Sequence, residues 1–179
     1  MRSPEPERPA DRALALRAAL ATGLNQLLER ELEAKSRVAW RDRESLFVAT
    51  DFGPGSLTTS GYPRVVKQWT RGTPLSEART VFSGDVGDVS SAGYTVFTPE
   101  RNYDVIQRVP AFFRSEKYLM LGDRLVRLDM PDDAELEEIF KDHLLITLRT
   151  DWNVGGKVYP AGALLAIGLD DFLRGARVF

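Results

Sequence analysis

From Ser36 onward the chain reads as short apolar runs separated by turn signals. Val38 and Trp40 alternate with polar neighbours, LFVAT follows at 46–50, then RVVKQW at 64–69 and TVF at 80–82. YLML at 118–121 and LVRLDM at 125–130 flank Gly122-Asp123-Arg124, a tight hairpin signal. HLLITLRTDW at 143–152 and VYPAGALLAIGL at 158–169 flank Asn153-Val154-Gly155-Gly156-Lys157, which predicts another hairpin. Strands this short, with turn signals roughly every 8–12 residues, predict an antiparallel all-β fold, either sandwich or propeller. Helix is expected again only at Asp170-Asp171-Phe172-Leu173, as a single turn capped by an aspartate and closed by Gly175. The strands also repeat in outline. One unit runs from Val38 to Gly84, a second from Val89 to Asp142, and a third begins at Leu144. A period of about 45–50 residues is that of propeller blades.

Upstream of Ser36 the pattern is different. Residues 1–10 are rich in Pro, Glu and Arg and read as a disordered leader. Residues 11–35 read as a helix that Asp11 caps, with Leu16, Leu20, Leu24 and Leu27 on one stripe and Arg17 and Glu31 close beside it. Such a stripe suits docking on an apolar surface, and its polar face is not basic enough for a membrane surface.

Composition narrows the function classes. Lys+Arg total 24 against 26 Asp+Glu, so no basic excess points to nucleic acid. Cysteine is absent, which excludes disulfides, thiolate metal sites and cysteine nucleophiles. No apolar run approaches the roughly 20 residues of a membrane helix, and the beginning is not that of a signal peptide. The expectation is a cytoplasmic chain with no membrane and no nucleic-acid partner.

The segment with most apparent chemistry is DFGPGSLTTSGYPR at 51–64. Its first three letters match a kinase metal-binding motif, but the catalytic-loop and lysine-strand motifs such an enzyme needs are missing upstream. As a phosphate cradle it lacks the lysine and the following helix. It reads instead as a long hairpin loop, with Gly53, Gly55 and Gly61 taking positive φ, Pro54 and Pro63 stiffening it, and its hydroxyls bonding its own backbone. No serine sits in the Gly-x-Ser-x-Gly elbow of a hydrolase, and the sole histidine, His143, opens an apolar strand. The acidic run Asp132-Asp133 and Glu135, Glu137, Glu138 reads as a solvated connection, and Asp151-x-Asn153 lacks the glutamate of a calcium loop. No catalytic residue, cofactor or metal site is expected.

Three stretches carry a family resemblance: SRVAWRDRESLFVATDFGPGSLTTSGYPRVVKQWTRGTPLSEARTVFSG, YLMLGDRLVRLDMPDDA and LLITLRTDWNVGGKVYPAGALLAIGLDDFLRG. Together they resemble the N-terminal β-propeller domain of prolyl oligopeptidase-family serine peptidases, over about 34–179. The resemblance implies a partial β-propeller over 36–179, about three antiparallel four-stranded blades, preceded by the amphipathic helix. In that family the propeller gates peptide access to a separate α/β-hydrolase domain, which holds the catalytic serine, aspartate and histidine. None of those positions falls in this chain. The helix has no counterpart where the family would place the preceding blade, and Phe179 falls where another strand should begin, so the chain reads as a truncated piece or split half. The partners implied are an α/β-hydrolase domain or a second copy of the chain, and peptides. The alternative is a stand-alone protein- or peptide-binding module using exposed blade faces, with Tyr62, Arg64, Trp69 and Trp152 as its anchors.

Overall fold

A computed structural model describes residues 35–179, which form one compact unit; the leader expected at 1–10 and all but the last residue of the helix expected at 11–35 lie outside the described residues. Sheet 1 is an antiparallel meander of β1 (Arg37–Trp40), β2 (Ser45–Ala49), β3 (Val65–Thr70) and β4 (Arg79–Ser83). Sheet 2 repeats it with β5 (Ser90–Phe97), β6 (Asn102–Ala111), β7 (Arg114–Leu121) and β8 (Arg124–Arg127). Sheet 3 has three strands, in the order β13-β10-β9: β9 is Glu135–Phe140, β10 His143–Thr147 and β13 Leu164–Gly168. The predicted Gly-Gly hairpin leaves this sheet as a two-stranded ribbon, β11 (Trp152–Val154) and β12 (Lys157–Tyr159).

The sheets stack face to face, because alternate side chains of a strand point to opposite faces. Phe47, Ala49 and Val66 of sheet 1 pack on Ile106 and Met120 of sheet 2. The alternate residues Tyr103, Val105 and Leu119 turn the other way, onto Ile139, Leu144, Ile146, Leu165 and Ile167 of sheet 3. A central strand buried on both faces loses the apolar–polar alternation of a half-buried one. For that reason β6, the longest strand, is missing from the sequence reading: its Tyr103, Val105 and Ile106 are all at or below 3% exposure.

Three details correct the expectations. The second unit ends at Arg127, so the third begins at Glu135 and not at Leu144. Glu135, Glu137 and Glu138 therefore lie on β9, with only Asp132 and Asp133 in the connection. The strand tolerates them because Ile139 enters the core, whereas Glu137 and Glu138 stay exposed and Glu135 meets Arg149 at 3.1 Å. Finally, the helical turn α1 spans Leu169–Leu173 and is capped by Gly168 without any side-chain bond; Asp170 and Asp171 sit inside its first turn, where negative charge suits the helix dipole. Gly175, at φ +97°, closes it as predicted.

Sheets 1 and 2 are in tight contact beneath Gly93. A Cβ there would lie 2.8 Å from Phe47 Cγ and 3.1 Å from Ile106 Cδ1, so the phenyl ring rests on bare backbone. Next to it, the β4–β5 connection is fastened onto sheet 2 by one guanidinium. Arg108 grips Asp88 with Nε at 2.8 Å and Nη2 at 2.9 Å, and the same Nη2 reaches Asp85 at 2.6 Å. The Asp88 side chain is only 4% exposed. The Arg108 hydrogen bonds hold its carboxyl below the usual aspartate value, against burial, which acts the other way. Gly84 permits this closure, since a Cβ would stand 2.6 Å from Asp88 Oδ2.

Two outcomes follow. Gly93→Ala should lower stability by about 1–3 kcal/mol, the cost of overpacking, and thermal melting would show it as a reduced midpoint. Asp88 keeps a lower pKa when folded than when unfolded, so its contribution is complete above pH 3.8 and is lost as pH falls through the folded value. Asp88→Asn should flatten the acid limb of a stability–pH curve below that point. An acid limb of unchanged slope would show that Asp88 carries no such linkage.

Candidate functional site

Sheets 1 and 2 each contribute an edge strand to one groove. β1 leads sheet 1 and β5 leads sheet 2, and between the two sheets these strands lie side by side. Ser36, Arg37, Val38 and Ala39 form one wall; Ser90, Ala92, Gly93, Tyr94, Gln107 and Val109 form the other. The volume enclosed is about 500 Å³, within the range of small-ligand clefts. Small side chains dominate because Ala92 and Gly93 leave the β5 backbone close to the surface. An edge strand carries unpaired N–H and C=O groups, so such a groove offers main-chain hydrogen bonds to an extended peptide. Its polar side chains are neutral apart from Arg37. Burial raises the pKa of the Tyr94 hydroxyl, and Glu135 nearby adds to the rise, so Tyr94 is a neutral group at physiological pH.

The 51–64 segment is the β2–β3 connection, and its hydroxyls do fold it on itself. Ser56 Oγ accepts from the Phe52 N–H at 2.8 Å and donates toward Asp51 Oδ1 at 2.8 Å and the Gly53 carbonyl at 2.7 Å. The Gly53 N–H also reaches Asp51, and this backbone donor, with the Ser56 hydroxyl, lowers the Asp51 pKa. Leu57 and Pro63 form a bridge, and Gly53, Gly55 and Gly61 have φ of +101°, +82° and +75°. The Asp51 carboxylate that would hold a metal in a kinase is thus spent on shaping a turn.

The four anchor candidates fall in different settings. Tyr62 is 37% exposed, with the Lys35 ammonium 4.0 Å from its ring centre. Arg64 is tied down, its Nη1 donating to Ser83 Oγ at 2.9 Å and the Gly84 carbonyl at 2.6 Å. Trp69 is buried to 9% exposure, and its indole N–H donates to the Thr73 carbonyl at 2.9 Å. Trp152 is half-buried on the ribbon, its ring 5.2 Å from that of Phe179. Tyr62 and Arg64 share one connection; Trp69 and Trp152 belong to different sheets. The groove residues escaped notice in the sequence because Ser, Ala and Gly on a strand carry no signal of their own. His143 engages the Lys141 carbonyl through Nδ1 at 2.8 Å. Among the described residues no three His, Asp or Glu side chains stand together as a metal site, and no helix is long and apolar enough to cross a membrane.

Comparison with known proteins supplies a context. No family model matches the chain. An uncharacterized peptidase, y4nA, of Sinorhizobium fredii is 30% identical over 147 residues, 76% of this chain and 20% of that protein. An uncharacterized peptidase of Rickettsia prowazekii, RP174, is 23% identical over 150 residues, again 20% of its length. The structure of a post-proline cleaving enzyme from Rickettsia typhi superposes with a TM-score of 0.70 at 21% identity, over 78% of this chain and 21% of that one; this likeness concerns the fold. The chain thus spans about one fifth of the length of the relatives it matches. Its antiparallel sheets have the fold of a partial β-propeller, and its sequence is similar to one stretch of these two peptidases.

Proposed function

We propose that this chain is a non-catalytic propeller segment whose role is to gate peptide access to a separate α/β-hydrolase domain. The observation that carries the reading is the groove between β1 and β5. It runs along the leading strands of two adjacent sheets, in a stretch whose relatives are peptidases. Its exposed strand edges suit an extended backbone, and its small side chains leave room for residues of varied size. Neither wall presents a nucleophile beside a base, so the groove contributes contact and exclusion, with bond cleavage left to the hydrolase domain.

The test is a pair of measurements on the purified chain. A fluorogenic prolyl-peptide substrate should stay uncleaved. A proline-containing hexapeptide should shift amide resonances of 36–39 and 90–94, and Ala92→Trp, which fills the groove, should abolish those shifts while the fold is kept. Turnover by the chain alone, or shifts confined to other residues, would sink the reading.

A further inference from the structure

The walls of the groove are kept apart by one contact and held together by another. The spacer is the Phe47 ring of β2, seated under the bare backbone of Gly93 on β5. A spacer limits how close two walls come, but it does nothing to stop them separating. β1 and β5 belong to different sheets, so no backbone ladder joins them. Side chains must supply the attraction there.

Arg41 follows Trp40, the last residue of β1, and reaches onto sheet 2, where its Nε donates to Asp104 Oδ2 at 2.7 Å. The other oxygen of that carboxylate, Oδ1, accepts the Thr95 hydroxyl at 2.7 Å, and Thr95 of β5 stands directly opposite Asp104 of β6 in the ladder. Two charge-assisted bonds through one carboxylate thus run from the end of β1 to β5. Arg41 lies two positions past the wall residue Ala39, and Thr95 is next to the wall residue Tyr94. The guanidinium also projects from a fixed turn. The N–H groups of Arg41 and Asp42 both donate to the Ser45 carbonyl, at 2.9 and 3.2 Å, and the Ser45 hydroxyl donates to Asp42 Oδ2 at 2.7 Å.

A loose surface pair gives up side-chain freedom to form and contributes little, whereas this one is pre-set and shielded. The side chains of Arg41 and Asp104 are 28% and 14% exposed. A second ion pair between the same two sheets, Arg79 with Asp123 at 2.8 Å, is 53% and 86% exposed and joins β4 to the β7–β8 turn.

We infer that Arg41 is a positioning residue for peptide binding: through Asp104 and Thr95 it holds β1 against β5 at the spacing the Phe47 ring allows, so that both strand edges grip one extended backbone. The inference rests on the function proposed above, since it concerns the same groove. A wall that drifts must be brought back each time a peptide binds, and preorganisation removes that cost.

The experiment measures the affinity of the proline-containing hexapeptide, with blocked ends, by calorimetry, beside thermal melting of each variant. Arg41→Met keeps the stem and loses the guanidinium. Asp104→Asn keeps the shape and the oxygen that Thr95 uses, but turns an amide donor toward Arg41. Each should weaken the peptide about tenfold by undoing the preorganisation. The two together should weaken it no further than either alone, because both break one tie. Arg41→Lys, which keeps the charge, should recover part of the loss, and Arg79→Met should leave affinity unchanged. Full affinity in Asp104→Asn, an additive double variant, or an equal loss in Arg79→Met overturns the inference and leaves the gating reading standing. Affinities that fall in step with melting midpoints across the variants would make the tie a brace for folding only, and would overturn it too. A parent chain that takes up no peptide overturns both readings.

Discussion

The whole arrangement depends on sheet 2 being apolar on both faces. Ile106 and Met120 face one neighbour, and Tyr103, Val105 and Leu119 face the other, so the middle sheet has no wet side. A sheet of this kind cannot exist alone; removing either neighbour would expose core side chains to water at about 25 cal/mol per Å² of apolar surface. Stability is thus a matter of adjacent pairs, as in other stacked-repeat architectures. The two interfaces are built differently. Between sheets 1 and 2 the core includes one aromatic pair, Phe82 and Tyr118, with ring centres 5.4 Å apart. Between sheets 2 and 3 the aliphatic core is joined by Lys117, whose ammonium is buried and donates to Ser115 Oγ at 2.8 Å. Burial lowers the pKa of that lysine, opposed by Glu135.

Polar groups serve the connections more than the strands. Arg108 gathers Asp85, Asp88 and Glu116, Arg114 holds Asp132, and Arg41 reaches Asp104 at 2.7 Å. Exposed pairs of this kind contribute little each, but Asp88 is shielded and doubly bonded, which places it among the strong ones. Fixing the connections matters because they present the surface features. The groove opens along strand edges of the two sheets that the Arg108–Asp88 clasp joins.

Much of the fold was legible in the sequence. The Gly122-Asp123 and Gly155-Gly156 turns announced their hairpins, and LFVAT and RVVKQW fell on β2 and β3. DFGPGSLTTSGYPR was read as a self-bonded loop because hydroxyls, glycines and prolines alternate there, and Ser56 and Asp51 do close it. Illegible were the strands that lack alternation, β5 and β6, and the acidic β9, whose charge outweighed its single buried Ile139. The groove was invisible for a different reason: it is made by two edges 50 or so positions apart, and Ala92 or Ser90 acquires a role only once β1 lies beside it.

Gly93 has one more consequence. Because its backbone sits directly on the Phe47 ring, the approach of β5 to sheet 1 is limited there by the thickness of a phenyl group. The aperture between Ser36–Ala39 and Ser90–Tyr94 is therefore calibrated by an absent methyl. Lineages that place a larger residue at this position would have to shrink residue 47 in step, or carry a wider mouth.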